Sequence, residues 1–317
     1  MNDYRPATRP TLYFIGVTTA SSSIMKVFPA WAAHLGLRDA EIRGLDFPLH
    51  ASPAAYREAV SFIKADPLSR GALVTTHKID LYRACHDQFD EVRPLARQLG
   101  ETSCLYKRGP RLLCDAKDPI SSGLALAALL PPRHFERTGA DLFVIGAGGA
   151  SVAISWHLLH PDRGADVPSR VVISDLGSER LDEIRRVHRD LGTRVAVDYI
   201  LAAKPEDNDQ VLAALRPGSL VINATGLGKD RPGSPLSEVA LFPRDGYVWE
   251  LNYRGALVFL DQARRQAVER RLRIADGWDY FVHGWTRVIA EVFDIEIPTS
   301  GPEFNEILAI ARRATES

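Results

Sequence analysis

The sequence predicts a two-domain α/β protein. Three observations carry that expectation. The chain has 317 residues, enough for two domains at about 100–200 residues each. Short apolar runs alternate with amphipathic stretches along most of it, the pattern of a sheet covered by helices. A glycine-rich turn follows the most apolar of those runs and opens a second α/β unit near the middle of the chain.

Residues 12–17 read as a buried strand, and residues 25–37 as a helix, since Val27, Trp31 and Leu35 recur at helical spacing with Phe28 and Ala32 beside them. Residues 42–45 and 72–75 read as further short strands, separated by a helix over 53–65 that Pro53 suits at its first turn. A helical pattern begins near Ser122 and breaks at Leu130, Pro131, Pro132 and Arg133. The second unit then continues through five strands, near residues 141–145, 171–174, 194–200, 220–224 and 247–251, with helices between them, which predicts a parallel sheet. Beyond Asp276 the pattern is helical: Trp285, Val288, Ile289, Val292 and Phe293 share one face, and Phe304, Ile307, Leu308 and Ala311 share another.

Composition excludes several classes of function. Lys plus Arg number 39 against 40 Asp plus Glu, with no long run of one sign to hold a phosphate backbone, so neither nucleic acid nor an anionic membrane is expected as a partner. No apolar stretch reaches the ~20 residues of a membrane span, and the first ten residues lack a signal-peptide core, so a cytoplasmic location is expected. Cys85, Cys104 and Cys114 form no CxxC pair. Neither a disulfide framework nor a metal site is expected, and the thiols read as semi-buried packing groups.

The strongest local motif is DLFVIGAGGASVA, residues 141–153, in which an apolar strand runs into Gly146, Ala147, Gly148, Gly149 and Ala150 and then into a helix. That context is the one a dinucleotide-binding turn of the Rossmann type requires. Gly146 makes the tight turn, Gly148 lets the backbone approach a pyrophosphate, and the free N–H groups of the helix receive its charge. The next strand ends at Asp175, somewhat beyond the usual spacing of about 20 residues from the glycines. A carboxylate there accepts hydrogen bonds from the adenosine ribose and repels the 2′-phosphate of NADP, so NAD is the expected cofactor, with NADP as the alternative. The competing reading is that Asp175 only caps the helix starting at Ser178.

Two further strings stand out in the first unit: GALVTTHK, ending at Lys78, and AKDPISSG, containing Asp118. A lysine pressed against a carboxylate can take up the hydroxyl proton of an alcohol while a cofactor accepts hydride, although the same pair can be a structural salt bridge. In combination with the glycine turn, these strings resemble the shikimate dehydrogenase family. Gly71, Val74, Thr75, His77 and Lys78 match its GxNVTxPxK-like string with one residue missing, and Asp118, Pro119 and Gly123 match its NTDxxG-like string. Residues 222–228, INATGLG, are similar to the family's loop at the nicotinamide, and Tyr253 resembles its substrate-side tyrosine. Gly277 matches the turn leading to the final helices.

The resemblance implies a substrate-binding and catalytic domain over 1–122, with helices of 279–317 returning to it, and a dinucleotide-binding domain over 123–278. It implies Lys78 and Asp118 as catalytic residues, and Ser21, Ser23, Thr75, Thr102, Tyr253 and His283 as substrate-side residues. On the cofactor side it adds Asn223, Thr225, Gly226 and Gly277 to the glycine turn and Asp175. The implied activity is reversible, NAD(P)-dependent oxidation of an alcohol on a small hydroxylated cyclic carboxylate such as shikimate, quinate or a relative, by a monomer or homodimer. The chain departs from the family at several hydroxyl-recognising positions. Ser21 and Ser23 meet the HSxSP-like spacing only with a small shift, the AVNT string becomes Glu101, Thr102 and Ser103, and Ala116 and Lys117 replace the Asn and Thr before Asp118. His283 or Gly284 stands for the family's late glutamine, and that histidine is either a donor to substrate or a packed core residue. His77 and Lys117 are expected to add positive charge beside the Lys78 pair, unless Lys117 is simply an exposed surface lysine. The rival readings are a methylene-tetrahydrofolate dehydrogenase-like enzyme and a catalytically drifted cofactor-binding or regulatory protein.

Overall fold

The computed structural model describes residues 4–228 and 231–316. The chain divides into two compact units, residues 1–118 with 282–317, and residues 119–281.

The first unit begins with β1 (Thr11–Gly16), α1 (Ile24–His34), β2 (Glu41–Asp46), α2 (Pro53–Ala65), β3 (Ser69–Val74) and α3 (Lys78–Cys85). The apolar run of β1 is buried throughout, and β2 and β3 pair with it in parallel on its two sides. Helix α2 spans the residues its sequence predicts, with Ser52 accepting the Ala55 N–H as its cap and Pro53 in the first turn. Next come β4 (Glu91–Val92), α4 (Pro94–Leu99), β5 (Cys104–Arg108) and β6 (Arg111–Asp115). Apolar spacing in the sequence does not reveal these strands. β5 and β6 form an antiparallel hairpin, and the sheet has the order β2-β1-β3-β5-β6-β4, so it is mixed rather than parallel.

α5 (Asp118–Leu129) begins at the last residue of that first segment and continues into the second unit, which contains α6 (His134–Thr138), β7 (Leu142–Ile145), α7 (Gly149–Leu159), β8 (Arg170–Asp175), α8 (Ser178–Leu191), β9 (Ala196–Leu201), α9 (Pro205–Ala213), β10 (Leu220–Asn223), β11 (Tyr247–Glu250), α10 (Val258–Arg270) and β12 (Arg273–Ala275). α5 opens at Asp118 and not near Ser122, with Pro119 in its first turn. The sheet is parallel throughout, in the order β12-β11-β10-β7-β8-β9, with one strand more than expected because β12 is too short to stand out in the sequence. Strands β7, β10 and β11 are buried along their whole length, as parallel strands covered on both faces must be. A core of Phe143, Val172, Val221, Val248 and Phe259 fills one side of this sheet, and full burial of each such side chain is worth about 1.5–3 kcal/mol. The connections run from β7 toward β8 and β9 on one side and then return to β10 on the other. The C-terminal ends of β7 and β10 therefore flank a topological switch point, the usual ligand position in an open α/β sheet.

α11 (Trp278–Phe293) starts in the second unit and ends in the first, and α12 (Gly301–Glu316) follows. Within the first unit the indole N–H of Trp31 in α1 donates to the Ile307 carbonyl of α12 at 2.9 Å, and Trp285 meets Phe14 edge-on at 5.0 Å. Among the described residues no helix is long and apolar enough to cross a membrane, and no cluster of His, Cys, Asp and Glu has the grouping of a metal site. The three cysteines are free and buried.

Helix α8 carries a buried histidine with a consequence for stability. His188 is 2% exposed, with Nε2 2.7 Å from the Ser155 hydroxyl and Nδ1 2.8 Å from the Tyr199 hydroxyl. Burial lowers its pKa from 6.5 to about 4. A lowered histidine favours folding while both states are neutral, so its contribution is complete above about pH 6.5 and is lost as the pH falls toward 4. At ~1.4 kcal/mol per pH unit the loss reaches roughly 3 kcal/mol. Denaturant midpoints measured between pH 7 and pH 4 should fall accordingly, and His188→Gln should flatten that slope; the same slope in both proteins would remove His188 as its source.

Candidate active site

Lys78 is the first residue of α3, following a turn in which Thr76 adopts a positive φ of 53°. Asp118 is the first residue of α5, and its carboxylate pairs with the Lys78 ammonium, with the side chains 17% and 11% exposed. Burial works against the ammonium, but the negative charges of Asp118 and Glu101 outweigh it and raise the pKa above the ordinary lysine value.

Glu101 was not singled out as a site residue from the sequence. It is 1% exposed, and both of its carboxylate oxygens are buried without a hydrogen-bond partner. Burial raises its pKa, Lys78 lowers it and Asp118 raises it again, which leaves it well above the usual carboxylate range. The sequence signal was an acidic residue standing in the altered AVNT-like string, and only its burial next to Lys78 gives that substitution a meaning.

Neither residue expected to add positive charge beside the pair has an uncompensated charge to offer, for two separate reasons. His77 is 1% exposed, its Nδ1 lies 2.8 Å from the Tyr56 hydroxyl, and burial lowers its pKa, so it is neutral near pH 7. Lys117 is not a surface lysine. Its ammonium lies 2.7 Å from both Asp115 and Glu291, and those bonds overcome the cost of burial and hold its proton above the ordinary value.

The other substrate-side candidates of the first unit differ in what they offer. Ser21 is exposed in a short turn after β1, donating to the Thr18 carbonyl at 3.1 Å, and Ser23 is half-buried ahead of α1. Thr75 follows β3, and its hydroxyl donates to the Ile15 carbonyl at 3.3 Å. Thr102 is turned inward instead. It is fully buried, its hydroxyl is shared between the carbonyls of Cys104 and Asp115, and it therefore has no free donor for a substrate. His283 is a packed residue, 3% exposed and stacked on Phe304 at 4.4 Å, and burial lowers its pKa to about 4.

In the second unit the glycine turn, the end of β8 and the loop after β10 come together. Gly146 has φ of +99°, and a Cβ there would lie 3.0 Å from the Ala224 carbonyl. A Cβ on Gly148 would meet nothing within 4 Å, so the backbone there faces open space. Gly148 caps α7 without a side-chain bond, which leaves the N–H groups around Gly149 and Ala150 directed outward. Asp175 accepts the Ala147 N–H at 2.7 Å and the Gly177 N–H at 2.8 Å, so it ties two strand-to-helix turns together rather than only capping α8. This cradle fits a dinucleotide pyrophosphate.

The loop after β10 is held by a buried polar network. The Asn223 side chain donates to Glu250 at 2.6 Å and accepts from the Thr225 hydroxyl at 2.7 Å. Glu250 also accepts from the Asn252 backbone N–H at 2.8 Å and its side-chain amide at 2.7 Å, and Asn252 in turn donates to the carbonyls of Thr225 and Leu227. Burial raises Glu250 to about 7 even though these donors pull it down. Gly226 lies on the open side of the loop, with nothing within 4 Å of a Cβ. Tyr253 packs against Phe281 at 4.8 Å and Trp278 at 5.6 Å.

Known proteins are similar to this chain over most of its length. No family model matches. A shikimate dehydrogenase (NADP(+)) of Symbiobacterium thermophilum is 28% identical over 233 residues, 73% of this chain and 72% of its own. One of Methylocella silvestris is 26% identical over 303 residues, 95% of this chain and 96% of its own. This chain belongs to the shikimate dehydrogenase family. Quinate dehydrogenase from Corynebacterium glutamicum, in complex with NAD, has the same fold at a TM-score of 0.70 and 20% identity, covering 96% of this chain and 99% of its own.

For a member of the shikimate dehydrogenase family, Gly277 has a packing reason to be glycine. A Cβ at that position would lie 1.9 Å from the Leu251 carbonyl oxygen, and the Gly277 N–H donates to the Asn252 carbonyl at 3.2 Å. The residue thus presses the start of α11 against the end of β11. Gly277→Ala should lower stability by about 1–3 kcal/mol, as overpacking does, read as a drop in the thermal unfolding midpoint; an unchanged midpoint would mean that the two backbones separate freely.

Proposed function

We propose that this protein is an NAD(P)-dependent oxidoreductase that reversibly oxidises a secondary alcohol on a small hydroxylated ring, with a cyclic carboxylate such as shikimate, quinate or a relative as substrate. The observation that carries this reading is the buried Lys78–Asp118 pair in a family member that also has an open glycine turn at a helix N-terminus. Gly146 to Ala150 would hold the pyrophosphate, Asp175 would face the adenosine ribose, and Asn223, Thr225 and Gly226 would border the nicotinamide. The bound dinucleotide supplies the hydride acceptor or donor. In the reduction direction the Lys78 ammonium gives a proton to the carbonyl oxygen, and Asp118 holds that ammonium in place. Ser21 and Ser23 would receive the substrate carboxylate, Ser21 by turning its hydroxyl from the Thr18 carbonyl, since His77 is neutral and Lys117 is already paired.

NAD is the preferred cofactor in this reading. Asp175 puts a carboxylate at the end of the second strand, where the 2′-phosphate of NADP would be repelled. The two shikimate dehydrogenases described above carry NADP(+) in their names, so the preference separates this chain from them. Titration with both dinucleotides is expected to give tighter binding of NAD, and Asp175→Asn should narrow the difference. Equal or tighter binding of NADP to the unaltered protein would overturn it.

Purified protein with either dinucleotide should oxidise at least one compound in a panel of shikimate, quinate and amino- or dihydroxy-cyclohexene carboxylates, followed by nicotinamide absorbance. Lys78→Ala should lower turnover by roughly 10²–10⁴-fold while nearly keeping dinucleotide affinity. Absence of turnover across the panel would favour a cofactor-binding protein without this chemistry, and normal turnover in Lys78→Ala would remove the lysine from the mechanism.

A further inference from the structure

We propose that Glu250 is a positioning residue for the dinucleotide: its ionised carboxylate fixes the two asparagine amides from which the loop after β10 hangs, and a proton on it releases that loop. The role rests on the oxidoreductase reading, which puts the nicotinamide against this loop, and adds to it a residue outside the loop that decides when the loop is ordered.

Glu250 is the last residue of β11, paired with Asn223, the last residue of β10. Its side chain is fully buried. Oε2 accepts from the Asn223 amide at 2.6 Å, and Oε1 accepts from the Asn252 backbone N–H at 2.8 Å and from the Asn252 amide at 2.7 Å. Among the described residues these partners are all neutral. The charged group that acts on Glu250 is the Asp276 carboxylate, just beyond β12, and it repels a negative charge there.

An asparagine amide has one donating and one accepting end, so fixing one end fixes the other. With the Asn223 NH₂ directed at Glu250, its oxygen faces Thr225 and accepts from the backbone N–H at 3.1 Å and the hydroxyl at 2.7 Å. The Thr225 hydroxyl oxygen in turn accepts from the Leu227 N–H at 3.2 Å. The Asn252 NH₂, held by Glu250 in the same way, also reaches the carbonyls of Thr225 and Leu227, each at 3.2 Å. All of these loop contacts depend on a carboxyl group that only accepts.

A neutral carboxyl carries an O–H, and whichever oxygen holds it meets a donor: the Asn223 amide on one side, two Asn252 N–H groups on the other. Turning the Asn223 amide over relieves the conflict, but its NH₂ then faces the Thr225 N–H and the first half of the loop loses its anchor. A buried donor against a donor is costly, so the proton and the ordered loop exclude one another. Burial without a cation favours the neutral acid, the three N–H groups favour the carboxylate, and the balance leaves Glu250 at about 7. The ordered loop that borders a bound dinucleotide is the ionised one, so below about pH 7 binding expels the proton and affinity falls as the pH drops. Well above that pH, Glu250 is already ionised and affinity is level.

The test uses full-length protein and NAD. Calorimetric titration slightly below pH 7, in buffers of different ionisation enthalpy, should show a fraction of a proton released per NAD bound, and affinity should fall between about pH 8 and about pH 6. Glu250→Gln keeps the size of the side chain but places an N–H permanently where the proton would sit. It should weaken NAD binding above pH 7 by roughly 10–100-fold and abolish both the proton release and the pH dependence, and Glu250→Asp should restore a pH dependence. Proton release unchanged in Glu250→Gln, or affinity independent of pH in the unaltered protein, would overturn the proposal. A second arm needs neither ligand nor variant: hydrogen exchange at the Thr225 and Leu227 amides, corrected for intrinsic rates, should lose protection over the same pH interval while β10 keeps its own. Constant protection at those two amides would also overturn it. If NAD and NADP both fail to bind, the oxidoreductase reading fails, and the exchange arm still decides whether a proton releases the loop.

Discussion

The structure of the first unit depends on a buried charge that its local structure does not favour. Lys78 stands at the N-terminus of α3, where the partial positive charge of the helix end opposes a cation. Asp118 stands at the N-terminus of α5, where a carboxylate is favoured. Pairing the two offsets the penalty on the lysine, and Glu101 adds a second acidic neighbour. A helix built for stability alone would have placed an acid at position 78. The arrangement therefore holds an ammonium where little water reaches it, at a cost in local helix stability.

The second unit answers a different demand, a flexible-looking glycine loop that has to keep one shape. Gly226 and Gly228 cannot fix the loop after β10 with side chains. Its shape comes from Asn223, Glu250 and Asn252, whose hydrogen bonds return to the loop's own carbonyls and hydroxyls. At the end of β8, the neighbour of β7, Asp175 does the same for the glycine turn. Both devices place the polar anchors on strand ends, which are rigid, and leave the loop backbone free to face a ligand.

Much of this architecture was legible from periodicity. The strand and helix pattern of residues 11–74 and the glycine turn after β7 follow from apolar spacing and from residues with restricted or unusual backbone preferences, and these are local properties. The β5–β6 hairpin escaped that reading because its strands, CLYKR and RLLCD, do not alternate cleanly, even though Gly109 and Pro110 between them mark a turn. β12 escaped because three residues carry no period.

The candidate site divides along the same line. Lys78, Asp118 and the glycines stand out as candidates from short strings and from the family those strings resemble, because each proposed role asks for one particular chemistry at one position. Whether a charged residue is free or spent was beyond the sequence: Lys117 is neutralised by Glu291, a residue from the far end of the chain, and His77 is kept neutral by its burial against Tyr56. Thr102 and His283 have suitable side chains, and their surroundings turn them inward. The sequence by itself determined which groups exist and in what order of strands and helices they lie, since those depend on neighbours a few residues away. Only the tertiary structure decided which of those groups are buried, paired or left unpartnered, Glu101 above all, because desolvation and charge pairing are set by residues that meet only after the chain has folded.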